Sequence, residues 1–288
     1  MNTPLFSVLI ANYNNGKYLQ EAIDSVLAQT YTNWEVIIVD DRSTDDSQQI
    51  YDKYADDERF HIFYNEKNMG CGYTKARCAE LANGEICGFL DPDDTITEDA
   101  LEVMVKVHVD NPNVSLAYSR LNVMDKDMNF VEVYEAQRDI PNTSSFLEYG
   151  IGVSHFVSFK KSLYDKTPGI NPYFLRAVDH DLYYLLEEVG TLKFVKKPLY
   201  NYRTATDQNI SLGENGYKAF LWHLMGEYEA CKRRGFSNRK TEELLFRDFK
   251  NTLDVCSMER VHEKEIMIRS SKAYRIGHFI LKPFKFFK

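Results

Sequence analysis

Four short runs, residues 5–11, 34–39, 60–64 and 86–90, are apolar and rich in β-branched and aromatic residues. Each is followed by a turn cluster and then by apolar residues at helical spacing. Leu19, Ala22, Ile23, Val26 and Leu27 follow the first run, and Leu101, Met104, Val105 and His108 follow the fourth. Strands that alternate with amphipathic helices in this way predict βαβ units. The expected fold class is therefore α/β, with a mainly parallel sheet and helices on its faces.

Two of the runs end in acid. The first such block holds Asp40, Asp41 and Asp45, and the second holds Asp91, Asp93 and Asp94. Ligands of open parallel sheets bind beyond the carboxyl ends of the strands, where both blocks fall. Crowded carboxylates repel one another unless a cation joins them. Oxygen ligands suit Mg²⁺ or Mn²⁺, which reach proteins through one or two carboxylates plus substrate phosphates. The blocks thus point to a metal-chelated diphosphate. The competing explanation is local: Ser43 or Thr44 can cap a helix after the first block, and Thr95 with Glu98 can form a capping box after the second.

Composition narrows the field. A net charge of −8 argues against binding a nucleic-acid backbone. Five cysteines at spacings that match no zinc pattern read as reduced thiols. There is no signal-peptide pattern, and no run reaches the ~18 apolar residues of a spanning helix, so a cytoplasmic protein is expected. The middle of the chain predicts strands at 114–118, 130–134, 156–159 and 192–195, with a helix at 179–189. The pattern is helical from residue 215 on. A boundary near Asp207 separates a domain over residues 1–206 from a helical region over 207–288. Within the former, residues 1–115 form a nucleotide half and 116–206 an acceptor half.

A family resemblance rests on these residues. Residues 7–14, residues 25–31, and residues 35–41 with Ser43 resemble the family 2 inverting glycosyltransferases that build bacterial polysaccharide and cell-surface glycans. So do Asn68-x-Gly70, Ala76-Arg77, Gly84-Glu85 and Asp91-x-Asp93-Asp94. The likeness resumes at Asp179-x-Asp181-Leu182 and at residues 198–203. It implies a GT-A fold, a Rossmann-like three-layer sandwich. It also implies transfer of a sugar from a nucleoside diphosphate, UDP favoured, to a hydroxyl of a glycan or lipid-linked acceptor, with inversion.

The same resemblance assigns roles. Asp91, Asp93 and Asp94 form the DxD-type motif for Mn²⁺ or Mg²⁺, with Asp93 the main ligand, Asp94 its competitor and Asp91 facing the ribose or sugar. Asp41, beside Asp40, meets the edge of the base; Tyr13 borders the ring, and Ala11 and Asn12 line the pocket through their backbone. Arg77 and Arg203 reach toward the nucleotide. Asp179 is the general base, with Asp181 the runner-up, while His180 between them reads as structural. The chain departs from the family at Val178, where an acid is usual, and at Ala205, where a histidine is frequent.

Other readings compete. Residues 90–95 also fit the phosphatase signature in which Asp91 is nucleophile and Asp93 acid/base. A protein that binds nucleotide sugar without turnover is a further alternative. A dinucleotide dehydrogenase fails, because residues 12–16 hold one glycine where its turn needs three. The last 20 residues carry six Lys and Arg and no acid, interleaved with aromatics. That composition predicts peripheral contact with the anionic inner face of a membrane.

Overall fold

The computed structural model describes residues 3–141, 145–149, 152–204 and 216–255. The chain divides into two compact units, Met1–Gly235 and Phe236–Lys288. The second contributes helix α9 (Asn238–Val255) to the described residues. Residues 205–215, which span the expected boundary, and the basic tail at 269–288 lie outside the described residues. No helix among the described residues is long and apolar enough to cross a membrane.

The first unit begins β1 (Phe6–Asn12), α1 (Gly16–Leu27), β2 (Trp34–Asp40), α2 (Ser47–Tyr51), β3 (Phe60–Tyr64), α3 (Cys71–Leu81), β4 (Ile86–Phe89). It continues with β5 (Thr95–Ile96), α4 (Ala100–Asp110), β6 (Val114–Met124), β7 (Phe130–Val133), α5 (Phe146–Tyr149) and β8 (Val157–Lys160). It closes with α6 (Lys161–Tyr164), α7 (Val178–Glu187), β9 (Thr191–Arg203) and α8 (Gly216–Arg233). The strands form one sheet in the order β3-β2-β1-β4-β8-β6-β9-β5, with β7 paired to β6.

Pairing is parallel across β3-β2-β1-β4 and again between β6 and β9. It is antiparallel at β4-β8, β6-β8, β6-β7 and β5-β9. The parallel half is buried on both faces, and this is why its strands read as unbroken apolar runs. Phe6, Val8, Ile10, Val36 and Ile38 share a cluster with Leu19, Ile23 and Val26 of α1 and with Leu101 and Met104 of α4. The alternate residues Leu9, Ile37 and Val39 are equally buried, and α3 packs against β1 and β2. The result is a three-layer α/β/α arrangement, as expected.

Strand order reverses at β1, which lies between β2 and β4. The crevice at such a switch point is where α/β sheets take ligands. Both acidic blocks leave the sheet there.

Two local expectations are corrected. Thr95 and Glu98 form no capping box. Thr95 and Ile96 instead make β5, paired antiparallel with Asn201 and Tyr200 of β9. The residue before α4 is Asp99, which makes no side-chain cap. Likewise neither Ser43 nor Thr44 caps α2. Asp45 takes that work: its Oδ1 accepts from Ser47 N at 3.1 Å, while its Oδ2 accepts from Gly16 N at 2.7 Å. The Ser43 hydroxyl instead accepts from Asn14 N at 2.9 Å and ties the β1 exit to the β2 exit.

Candidate active site

The turn after β4 is fastened from several sides. Asp94 N donates to Asp91 O at 3.1 Å and closes the turn. Asp91 N donates to the Tyr200 hydroxyl at 3.2 Å, and that hydroxyl bonds the Asp94 carboxyl in turn. Arg203 N donates to Asp94 Oδ1 at 2.7 Å. Asp94 is fully enclosed; burial, and then the negative charges of Asp93 and Asp91, push it well above the ordinary carboxylate range. Asp93 and Asp91 keep partial exposure.

Arg203 is placed differently from the expectation. Its side chain is 2% exposed. Nε donates to Asp93 O at 2.8 Å, a terminal nitrogen donates to Lys126 O at 2.8 Å, and the other pairs with Glu21 at 2.6 Å. The plane lies 4.6 Å from the Tyr18 ring centroid. All its edges are occupied by protein, so it holds the acidic turn from beneath and does not reach into the crevice.

The first block divides its labour. Asp40 is buried; its Oδ1 accepts from Ser43 N at 2.8 Å and its Oδ2 from the Tyr51 hydroxyl at 2.7 Å. The Asn12 amide nitrogen reaches the same Tyr51 hydroxyl at 2.7 Å and Ser47 Oγ at 2.9 Å. Asp40 and Asn12 therefore anchor α2 to the sheet edge. Asp41 faces the next loop. Its Oδ1 accepts from Asn65 Nδ2 at 2.8 Å and Met69 N at 2.7 Å, and its Oδ2 from Gly70 N at 2.8 Å. Two oxygens offer about four lone-pair sites, so Oδ2 retains one for a further donor. Arg77 braces this loop by donating to Tyr64 O at 2.7 Å and Asn65 Oδ1 at 2.6 Å. Tyr13, at the β1 exit next to Ala11 and Asn12, leaves its ring 41% exposed.

Asp179 reaches the crevice through the chain segment before α7. Gly72 N donates to Phe174 O at 2.9 Å, and a Cβ on Gly72 would meet that oxygen at 2.4 Å. Only glycine lets the segment lie so close to α3. One turn further along α3, Lys75 Nζ donates to Asp179 Oδ1 at 2.8 Å and lies 3.1 Å from Asp91 Oδ1. His155 Nε2 lies 3.4 Å from Asp179 Oδ2 and 3.6 Å from Asp91 Oδ2. The four side chains close a ring, with Lys75 holding one oxygen of each carboxylate and His155 the other. Burial alone would raise Asp179, but Lys75 and His155 outweigh it and hold it well below the ordinary carboxylate range. His155 is lowered by its burial and raised more by Asp179 and Asp91, with a net upward shift.

Asp181, two residues further along α7, is buried instead against Arg233 at 3.4 Å. Its desolvation pushes its carboxyl up. His180 packs edge-on against His223 at 4.6 Å, in keeping with a structural role. Of the two candidate bases, only Asp179 lies in the crevice beside Asp91.

Lys75, His155 and Tyr200 went unforeseen. Lys75 did leave a trace, since it shares an α3 stripe with Cys71, Cys78 and Ala79 at helical spacing. A lysine inside an apolar stripe implies a buried partner. Tyr200 sat inside the 198–203 segment of the resemblance without a role assigned to it, and His155 left no local signal.

A parallel half-sheet with carboxylates at its switch point, joined to a mixed half that brings in one more, agrees with the GT-A fold that the resemblance implies. The profile of Glycosyl transferase family 2 matches residues 7–168, and the chain belongs to that family. It is 32% identical to chondroitin synthase of Escherichia coli over 216 residues, covering 73% of this chain and 30% of that protein. It is 29% identical to hyaluronan synthase of Pasteurella multocida over 245 residues, covering 83% of this chain and 24% of that protein. The chain thus spans a third or less of the length of these relatives. Among solved structures, S. aureus TarS 1–349 in complex with UDP-GlcNAc superposes with a TM-score of 0.66 at 19% identity, over 87% of this chain and 73% of that one. The mannosyltransferase PcManGT of Pyrobaculum calidifontis, in complex with GDP-Man and Mn²⁺, does so with 0.61 at 14% identity, over 96% and 83%.

Proposed function

We propose that the protein transfers a sugar from a nucleoside diphosphate, UDP favoured, to a hydroxyl of a glycan or lipid-linked acceptor, with inversion in a single displacement. One observation carries the reading: Asp91 of the acidic turn and Asp179 of α7, remote in sequence, share Lys75 and His155 across one crevice. A donor-side and an acceptor-side carboxylate are thereby held within reach of the same reacting centre. The names of the relatives support polysaccharide as the product class, and the UDP-GlcNAc complex of TarS supports a uridine donor.

The base edge meets the remaining acceptor site of Asp41, and the ring lies along Tyr13. Asp40, Asn12, Arg77 and Arg203 shape these contacts through the loops they brace. Asp91 faces the ribose or sugar. The acceptor oxygen attacks the anomeric carbon from the face opposite the diphosphate. Its proton passes to Asp179, and the bond to the leaving diphosphate breaks with its electron pair. Val178, 3% exposed, packs in the core, so its departure from the family pattern leaves Asp179 in place.

The acidic turn suits a divalent cation. Three carboxylates crowd four residues, and their mutual charge contributes to the upward push on Asp94. A Mg²⁺ or Mn²⁺ would be held by Asp93, with Asp94 its competitor, and would need substrate phosphates to complete its ligands. Such an ion, when bound, neutralises charge on the leaving diphosphate.

Calorimetric titration with UDP, GDP, dTDP and CMP tests the reading. One nucleoside diphosphate, expected to be UDP, binds in Mn²⁺ and weakens at least about tenfold in EDTA, since a bound cation would neutralise charge on the diphosphate. Equal affinity in EDTA contradicts the metal, and no binding of any of the four contradicts the site.

A further inference from the structure

We infer that Lys75 is a positioning residue for the proton acceptor Asp179, tying the base to the donor side of the site through Asp91. The inference rests on the proposed reading of Asp179.

The argument starts from cost. The Lys75 side chain is 6% exposed, and a desolvated ammonium is tolerated only when paired. Its length is used to span two carboxylates, at 2.8 Å to Asp179 and 3.1 Å to Asp91. Nζ also lies over the Phe89 ring, 5.2 Å from its centroid, which limits where the ammonium can sit. The same cation fixes one oxygen of each carboxylate, and His155 stands at the other oxygens.

Asp179 stands at the start of α7, and without Lys75 its carboxylate would keep only the contact of its other oxygen with His155. Lys75 adds the second point of attachment, and the placement is referenced to Asp91 and hence to the donor. The same contact lowers the basicity of Asp179, so Lys75 exchanges proton affinity for placement. Misplacement of a reacting group by about 1 Å can cost on the order of 10²-fold in rate.

A double-mutant cycle on UDP release tests this. The probe is whichever of UDP-glucose, UDP-galactose, UDP-glucuronate, UDP-GlcNAc and UDP-GalNAc the wild type consumes fastest. Lys75→Met is expected to lower kcat about 10²-fold with the KM for the donor within about threefold. Lys75→Arg, which can still span both carboxylates, recovers part of the rate. In the Asp179→Asn background, Lys75→Met costs nothing further, because the group it positions is gone. That double variant leaves one carboxylate, Asp91, without its Lys75 partner where Lys75→Met leaves two, and thermal unfolding establishes that each protein is folded. If Lys75→Met keeps its rate while Asp179→Asn loses it, the inference is overturned and the base assignment survives. An additive cycle overturns the inference as well. If Asp179→Asn keeps full rate, or if the wild type releases UDP from none of the five, the reading beneath falls and the inference with it.

Discussion

Asp179→Asn is expected to lower transfer about 10³-fold while leaving UDP affinity in Mn²⁺ within about threefold of wild type. The substitution keeps the shape and one carbonyl oxygen for Lys75 but removes the proton acceptor, and a general base is worth about 10²–10⁴-fold. The nucleotide contacts proposed for Asp41, Tyr13 and Asp93 lie on other elements and are untouched. Asp181→Asn should behave in the opposite way. That carboxyl is buried against Arg233, so its loss should lower stability and spare turnover in the protein that remains folded. Initial rates with calorimetric affinities distinguish the two. Transfer retained in Asp179→Asn would move the base elsewhere.

Arg203→Met carries the largest expected effect on stability. Its guanidinium satisfies Asp93 O and Lys126 O and pairs with Glu21. Removing it strands two carbonyls and takes away the fastening of the acidic turn. Each stranded acceptor costs about 1–3 kcal/mol, and the pairing with Glu21 adds little because that carboxylate is half-exposed. For a unit of this size each kcal/mol lowers Tm by about 2–4 °C, so a fall of about 10 °C is expected. Nucleotide affinity should fall too, because the turn that presents Asp93 is no longer held. Arg203→Lys should rescue little, since an ammonium cannot reach three divergent acceptors at once. A fall in Tm below about 3 °C would show that the turn is held by its other contacts.

Sequence and structure agree best where burial is two-sided. The strands β1 to β4 are covered on both faces, so apolar character and length sufficed to locate them. The strand β9 was recognised only at its start. It continues through Pro198, which lies opposite Arg120 where the register shifts; a proline within a strand normally marks an edge or a bulge. The two-residue strand β5 exists only because β9 lies beside it, so Thr95 and Ile96 looked like the start of a helix.

The site was legible to the extent that chemistry sat in compact motifs. Asp91, Asp93 and Asp94 occupy one turn, and Asp179 leads the next recognisable segment. Their counter-charges come from separate elements, Lys75 from α3 and His155 from the residues before β8, and nothing local binds them to either motif. Asp40 and Arg203 show the converse. Both carry the residue type expected at a nucleotide site, and both spend it on holding a loop.

The most direct test of the donor site is electron paramagnetic resonance of Mn²⁺ in the presence of UDP. Wild-type protein should remove more of the free-ion signal than UDP does alone. Asp93→Asn should abolish the difference, and Asp94→Asn, whose carboxyl is buried beneath Arg203 N and Tyr200, should retain most of it. Protein-dependent removal of the free-ion signal that persists in Asp93→Asn but is lost in Asp94→Asn would contradict the assignment of the metal ligand. No protein-dependent signal in the wild type would contradict a metal-assisted donor site altogether.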